Sequence, residues 1–233
     1  MKRINLFFAV LTAILLSCIP ALADTFTLST ANRGWITSTG TSNGTSGANS
    51  YYTGIDFSYN AGAELRDWFS FDLSTVSGTI TSATIQVASG TYIPYQTTSE
   101  TLQLTSVAAQ DFADLGTGTV YGTQVYSAAE NAQTVTITLD AAAITALNNN
   151  AGGTFELGGR LTSLQQTAPG TANEAIFSTV SGDPAQVQLV LSTTGTGGGG
   201  QGNAPEPASM LLFITVLAAI PLLRKVGNQT PGR

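Results

Sequence analysis

The chain reads as an all-β protein, an antiparallel jelly-roll-type β-sandwich with one short helix. Three observations carry that reading. Apolar and polar residues alternate with a period of two through most of the middle of the chain. Those runs are rich in β-branched and aromatic residues. Clusters of Gly and Asn separate them, at Gly40 to Asn49, Gly116-Thr117-Gly118 and Asn148 to Gly153. A period of two buries one face of a strand and leaves the other in water. Many short strands with frequent turns assemble as sandwiches or jelly rolls.

Residues 1–23 read as a secretory signal peptide. Lys2 and Arg3 form a positive start, and Ile4 to Leu16 is apolar apart from Asn5 and Thr12. Ala21-Leu22-Ala23 then places small residues where a signal peptidase needs them, so Ala21 and Ala23 mark the cleavage site and Asp24 becomes the first mature residue. Two other readings stay open. The apolar run could remain as an uncleaved anchor, or Leu15-Leu16-Ser17-Cys18 could act as a loose lipobox with a lipid on Cys18, the one cysteine of the chain.

Residues 24–192 carry the sandwich. Leu65, Phe69, Phe71 and Leu73 share one face of a strand, against Arg66, Trp68, Ser70 and Asp72. Ile80, Ile85 and Val87 form the next apolar series, then Leu102 and Leu104, then Val135, Ile137 and Leu139 between threonines. Phe155 with Leu157, Ala175 with Phe177, and Val187 with Leu189 and Leu191 complete it. The one helix expected is Ala141 to Leu147, capped by Asp140 and ended by Asn148-Asn149-Asn150.

Residues 193–204 form a Gly-rich linker containing Gly197-Gly198-Gly199-Gly200, a composition that behaves as flexible coil with a root-mean-square span of about 20 Å. Residues 205–233 are tripartite. Pro205-Glu206-Pro207 comes first, Ala208 to Leu223 is uncharged and mostly apolar, and Arg224-Lys225 closes it. As a helix the apolar run spans roughly 24 Å, short for a bilayer core of about 30 Å, which suits a transient membrane segment stopped by its basic end on the cytoplasmic side. A glycolipid-anchor signal would end apolar, whereas a polar stretch from Val226 to Arg233 follows here.

In that order and at the end of the chain, Pro205-Glu206-Pro207-Ala208-Ser209, the apolar run and the basic pair resemble a PEP-CTERM sorting signal. The resemblance implies recognition by an exosortase, a membrane protease of transpeptidase type, with the tail removed near Pro205-Glu206-Pro207. It also implies a bacterial source that makes exopolysaccharide. The basic pair is thinner than many such signals carry. A second resemblance lies in the middle. Leu65-Arg66-Asp67-Trp68-Phe69-Ser70-Phe71-Asp72-Leu73 and Gly78-Thr79-Ile80-Thr81-Ser82-Ala83-Thr84-Ile85 look like the opening strands of DNRLRE-type domains, which are similar to carbohydrate-binding modules.

Charge and composition exclude several chemistries. Residues 24–204 hold three arginines, no lysine and thirteen acids, a net charge of −10, so nucleic acid is a poor partner. The chain has no histidine, which removes Ser-His-Asp and Cys-His catalysis and His-ligated metals. Carboxylates remain: Asp67, Asp72, Asp111, Asp114, Glu156 and Glu174, read as surface or turn-capping acids. No enzyme is expected. No cofactor is expected either, although the acidity leaves room for a structural Ca²⁺ with no assignable ligands. Trp35, Tyr51, Tyr52, Trp68, Tyr92 and Tyr95 could stack on sugar, with core packing as the alternative for each. Trp68 is singled out as the carbohydrate contact because it falls on the polar face of its strand. The expectation is an exported envelope, cell-surface or extracellular-matrix protein. Its partners would be an exosortase-type protease and extracellular polysaccharide, and its role structural or the recognition of a neutral glycan.

Overall fold

The computed structural model describes residues 23–180 and 182–194. Ala21, Cys18, Pro205, Glu206, Pro207, Arg224 and Lys225 lie outside the described residues, as do the apolar run of the tail and most of the linker.

Twelve strands are described, together with two helices and two short 3-10 turns. In chain order the strands are β1 (Ala23–Ser29), β2 (Asn32–Thr37), β3 (Tyr51–Asp56), β4 (Ala63–Asp72), β5 (Thr79–Ala88) and β6 (Thr91–Ile93). They continue with β7 (Ser99–Ser106), β8 (Val120–Ser127), β9 (Thr134–Thr138), β10 (Thr154–Leu161), β11 (Glu174–Val180) and β12 (Val187–Thr194). One helical turn, α1 (Phe57–Asn60), joins β3 to β4, and α2 (Ala141–Asn149) follows β9. All strand pairs are antiparallel.

The strands form a four-stranded sheet in the order β1-β12-β5-β9 and an eight-stranded sheet in the order β6-β11-β3-β4-β10-β7-β8, with β2 paired to β4. Ile85, Val87, Ile137, Leu189 and Leu191 of the small sheet join Phe69, Phe71, Leu102, Leu104, Phe155 and Leu157 of the large one in a single buried cluster. That shared core is what a sandwich of curled antiparallel sheets requires. These are the residues whose alternation marks the strands in the sequence, because each inner face repeats at every second position.

Strand β4 organises the large sheet. Leu65 faces Thr37 of β2 across one edge and Gly54 of β3 across the other. Further along, Asp67 lies between Trp35 of β2 and Gly159 of β10.

Three expectations change. The described residues hold two helices where the sequence suggests one within the sandwich. The additional turn, α1, is too short for periodicity and is set by its cap: Asp56 Oδ1 accepts from Ser58 N at 3.1 Å and Tyr59 N at 3.2 Å. Ala61 then turns left-handed at φ 53°, followed by Gly62 at φ 77°, where a Cβ would come within 2.2 Å of Gly170 O. Strand β12 runs to Thr194, two residues into the expected linker, because its register with β1 and β5 continues that far. The third change concerns Trp68. It is only 2% exposed and packs with Ile36 and Leu115, with Val107 and Phe112 closing the cluster. The polar face of β4 is thus covered by the segment 107–118. Arg66 Nη1 pins that segment by donating to Phe112 O at 2.9 Å and Leu115 O at 3.0 Å, and its guanidinium lies 4.1 Å from the centre of the Phe112 ring. A ring so covered has no face to offer a sugar.

Candidate functional site

The aromatic residues that do reach solvent together lie beside α1. A pocket of about 210 Å³ is lined by Trp35, Tyr52, Tyr59, Asp56, Asn60 and Ser50, with Tyr51 and Leu65 also contributing. Trp35 and Tyr52 are half-buried, and Tyr59 is 92% exposed. Three strands and one turn supply these groups. Trp35 comes from β2, Tyr52 and Asp56 from β3, Leu65 from β4, and Tyr59 and Asn60 from α1. Phe57, on the same turn, is 52% exposed.

Local hydrogen bonds hold each wall. Asn43 Oδ1 accepts from Trp35 N at 2.9 Å while its Nδ2 donates to Ser50 O at 2.7 Å, tying β2 to the start of β3. Asn43 opens an Asn-x-Thr triplet, so the amide a glycan would modify is already engaged in the fold. Tyr52 Oη donates to Ile55 O at 3.4 Å. Burial raises the pKa of the Tyr52 phenol, and nearby Asp56 adds to the rise, so this hydroxyl stays protonated. Asp56 Oδ2 accepts from Asn60 Nδ2 at 2.6 Å. Both oxygens of Asp56 are therefore occupied in capping α1.

This arrangement suits binding. Aromatic faces pack on the C–H surface of a pyranose, and the amide and hydroxyl groups of Asn60, Ser50 and Tyr52 can exchange hydrogen bonds with its hydroxyls. The lining carries no Arg or Lys to attract an anion. Its one carboxylate, Asp56, is committed to the cap, whereas glycoside hydrolysis needs a pair of carboxyls about 5–9.5 Å apart.

The other sequence-predicted groups scatter. Tyr51 and Tyr92 belong to the core. Asp72, Asp111 and Asp140 accept from Ser74 N, Asp114 N and Ala143 N respectively, as turn-capping acids should, and Glu156 accepts from Gln110 Nε2. Asp67 and Glu174, read from the sequence as surface or capping acids, are fully buried, and so is Glu100. Asp67 sits on the apolar side of β4, between Leu65 and Phe69, and its oxygens have no hydrogen-bond partner. The Thr53 and Tyr126 hydroxyls are likewise buried and unpartnered. Burial pushes the pKa of Asp67 up to about 7. Gly159 is required beside it, since a Cβ there would lie 2.0 Å from Asp67 Oδ1. Arg33, also fully buried, donates from Nε to Asn49 O at 2.6 Å and from Nη2 to Gln186 Oε1 at 3.0 Å, and lies 4.9 Å from the centre of the Tyr51 ring. Among the described residues no group of three acids gathers as a metal site.

No protein-family model matches the chain, and no curated protein matches it either.

Sequence reasoning missed Tyr59, Asp56 and Asn60. The signal was present in Asp56-Phe57-Ser58-Tyr59-Asn60-Ala61-Gly62, a capping Asp followed four residues after Phe57 by Ala61-Gly62. Nothing in that string says that the turn stands beside Trp35, which is 24 positions before Tyr59.

Proposed function

We propose that this chain is an exported cell-envelope or matrix protein, sorted through its Pro205-Glu206-Pro207 tail, whose sandwich holds a neutral polysaccharide without cleaving it. The observation that carries the binding part is the pocket formed by Trp35, Tyr52 and Tyr59, which has uncharged polar groups at its rim and no basic residue in its lining. The export and sorting part rests on the sequence of the two ends. The finer reading of the sandwich as a jelly roll similar to carbohydrate-binding modules belongs to the same proposal. An acidic polymer would be repelled by the net charge of −10 over residues 24–204 unless Ca²⁺ bridged the two.

Affinity electrophoresis of the exported protein through gels containing neutral β-glucan, α-glucan or galactomannan tests the binding. Retardation in at least one gel, weakened by Trp35→Ala and by Tyr59→Ala, is the expected result. Mobility unchanged in all three would leave a purely structural role in the matrix as the better reading.

A further inference from the structure

A twelve-residue segment between β10 and β11, residues 162–173, links a pair of buried acids to the wall of the pocket. At its start, Thr162 N donates to Thr101 O at 2.9 Å, and the Ser163 hydroxyl donates to Glu100 Oε2. In its middle, Gln165 N and Gln166 N donate to the two oxygens of Glu174 at 2.7 and 3.1 Å. At its end, Gly170 N donates to Gly62 O at 2.8 Å. Asn173 Oδ1 accepts from Phe57 N at 2.7 Å and Ser58 N at 3.2 Å, and its Nδ2 donates to Ser58 Oγ at 2.8 Å. The same segment thus closes over Glu100 and Glu174 and holds α1, which carries Tyr59 and Asn60.

Glu100 and Glu174 are both fully buried, and both accept hydrogen bonds from the same short stretch, Ser163 to Gln166. Across from Glu100 on β8 stands Tyr126, a neutral phenol with Asp67 beyond it. From β6, the Tyr92 hydroxyl donates to Thr97 O at 3.4 Å, and Thr97 in turn donates to Glu100 Oε1 at 2.8 Å. The ion pair among the described residues, Arg66–Glu64, involves neither acid. Two buried carboxyls that hold one stretch of chain repel when both are charged, which adds to the cost of ionising Glu100.

We infer that Glu100, buried beside Glu174, is a proton-held latch on segment 162–173, and that its ionisation loosens α1 and weakens the grip of the pocket on its ligand. This rests on the pocket reading given above and adds its regulation. The direction follows from the surroundings of Glu100. Burial raises the pKa of Glu100 above its usual 4.5, and Glu174 adds to the rise while Ser163 and Thr97 oppose it. The latch is complete below that usual value and is lost as pH rises through the raised one. Opening the segment lets the repelling carboxyls reach water, and Asn173 and Gly170 leave α1 with it.

Hydrogen exchange on the full exported chain tests the latch without any ligand. Amide rates at Phe57, Ser58 and Tyr59, corrected for intrinsic exchange, are compared at about pH 5 and about pH 8.5, with Leu157 in β10 reporting global opening. In the wild type, protection at α1 should fall about tenfold or more beyond any change at Leu157. Glu100→Gln keeps the hydrogen-bonding shape without the charge and should cut that fall to less than about threefold. Asn173→Ala, which leaves both acids in place, should expose the α1 amides at either pH while those of Gln165 and Gln166 still respond. Unchanged α1 protection in the wild type, or an undiminished response in Glu100→Gln, overturns the latch. Retention on β-glucan gels at the same two pH values separates the two ideas. A responding α1 without retention at either pH sinks the pocket reading and leaves the latch standing, whereas retention equal at both overturns the gating.

Discussion

Replacing Asp67 by Asn probes the isolated carboxyl inside the large sheet. In the folded chain its oxygens take no hydrogen bond, and burial raises its pKa from 3.8 to about 7. Unfolding returns it to near 3.8. The folded state therefore holds this proton more tightly. The stability it contributes is complete below the lower value and is lost as pH rises through the upper one. At about 1.4 kcal/mol per pH unit, the loss over that window is about 4 kcal/mol. With a urea m value of about 2 kcal/mol/M, the unfolding midpoint should drop by about 2 M between about pH 4 and pH 8. Asp67→Asn carries no charge in either state, so it should remove most of that drop and exceed the wild type in stability at pH 8. Urea titrations of both proteins followed by near-ultraviolet circular dichroism measure this directly. A shallow slope in the variant is expected from Glu100, whose pKa is also raised by burial. Wild-type midpoints flat across the range, or an equal fall in the variant, would show that the folded chain does not keep Asp67 protonated and that some group compensates its charge.

Other perturbations separate packing from recognition. Trp68→Ala should cost about 3–5 kcal/mol, read as a lowered melting temperature, while glycan retention well below the melt stays unchanged. Tyr59→Ala should leave the melting temperature unchanged and reduce glycan retention about threefold to tenfold, the worth of one aromatic face. Gly159→Ala drives a methyl into Asp67 Oδ1 and should destabilise the chain by about 1–3 kcal/mol in the same urea assay. Glu206→Ala should trap a larger species in the membrane fraction, detectable by immunoblot, and normal maturation of that variant would remove the tail's role as a signal.

The parts of the fold visible in the sequence were those whose neighbours lie on the same strand. Leu102 and Leu104, Val135 and Ile137, and Leu189 and Leu191 announce an inner face by period alone, and all six reach the common core. The helix after Asp140 is equally local, since the cap and the helix it starts are contiguous. Asp67 shows where this ends. It occupies the same face as Leu65 and Phe69, yet a charged residue inside an apolar series reads as an interruption when its surroundings are unseen. Trp68 fails in the opposite sense. Its strand face was read correctly, but the cover comes from residues 107–118, some forty positions later, and Leu115 and Phe112 give no local sign of where they pack. The pocket is harder still, because Trp35, Tyr52 and Tyr59 meet only after β2 and β3 take their places along β4.

The pairing of the two ends of the sandwich bears on the processing proposed for both ends of the chain. Ala23 pairs with Thr194, Asp24 with Thr193, and the register continues to Ser29 with Gln188. Cleavage before Asp24 therefore removes one residue of β1 and leaves the rest of its ladder intact. At the other end, β12 stops at Thr194, eleven positions before Pro205. A cut near Pro205-Glu206-Pro207 removes none of the described strand residues, so the described sheets keep their own apolar area, the main source of stability. Processing at both ends should then leave the fold energetically unchanged. Differential scanning calorimetry of the chain before and after removal of the tail should give melting temperatures within about 2 °C, since a shift of about 4 °C would already signal roughly 1–2 kcal/mol in a domain of this size. A larger drop would mean that the tail packs on the sandwich. Intact mass of the same material identifies the N-terminus at once. A mass beginning at Asp24 fits a freed β1, whereas one beginning at an acylated Cys18 would place four residues between a lipid and β1 and support the lipoprotein reading.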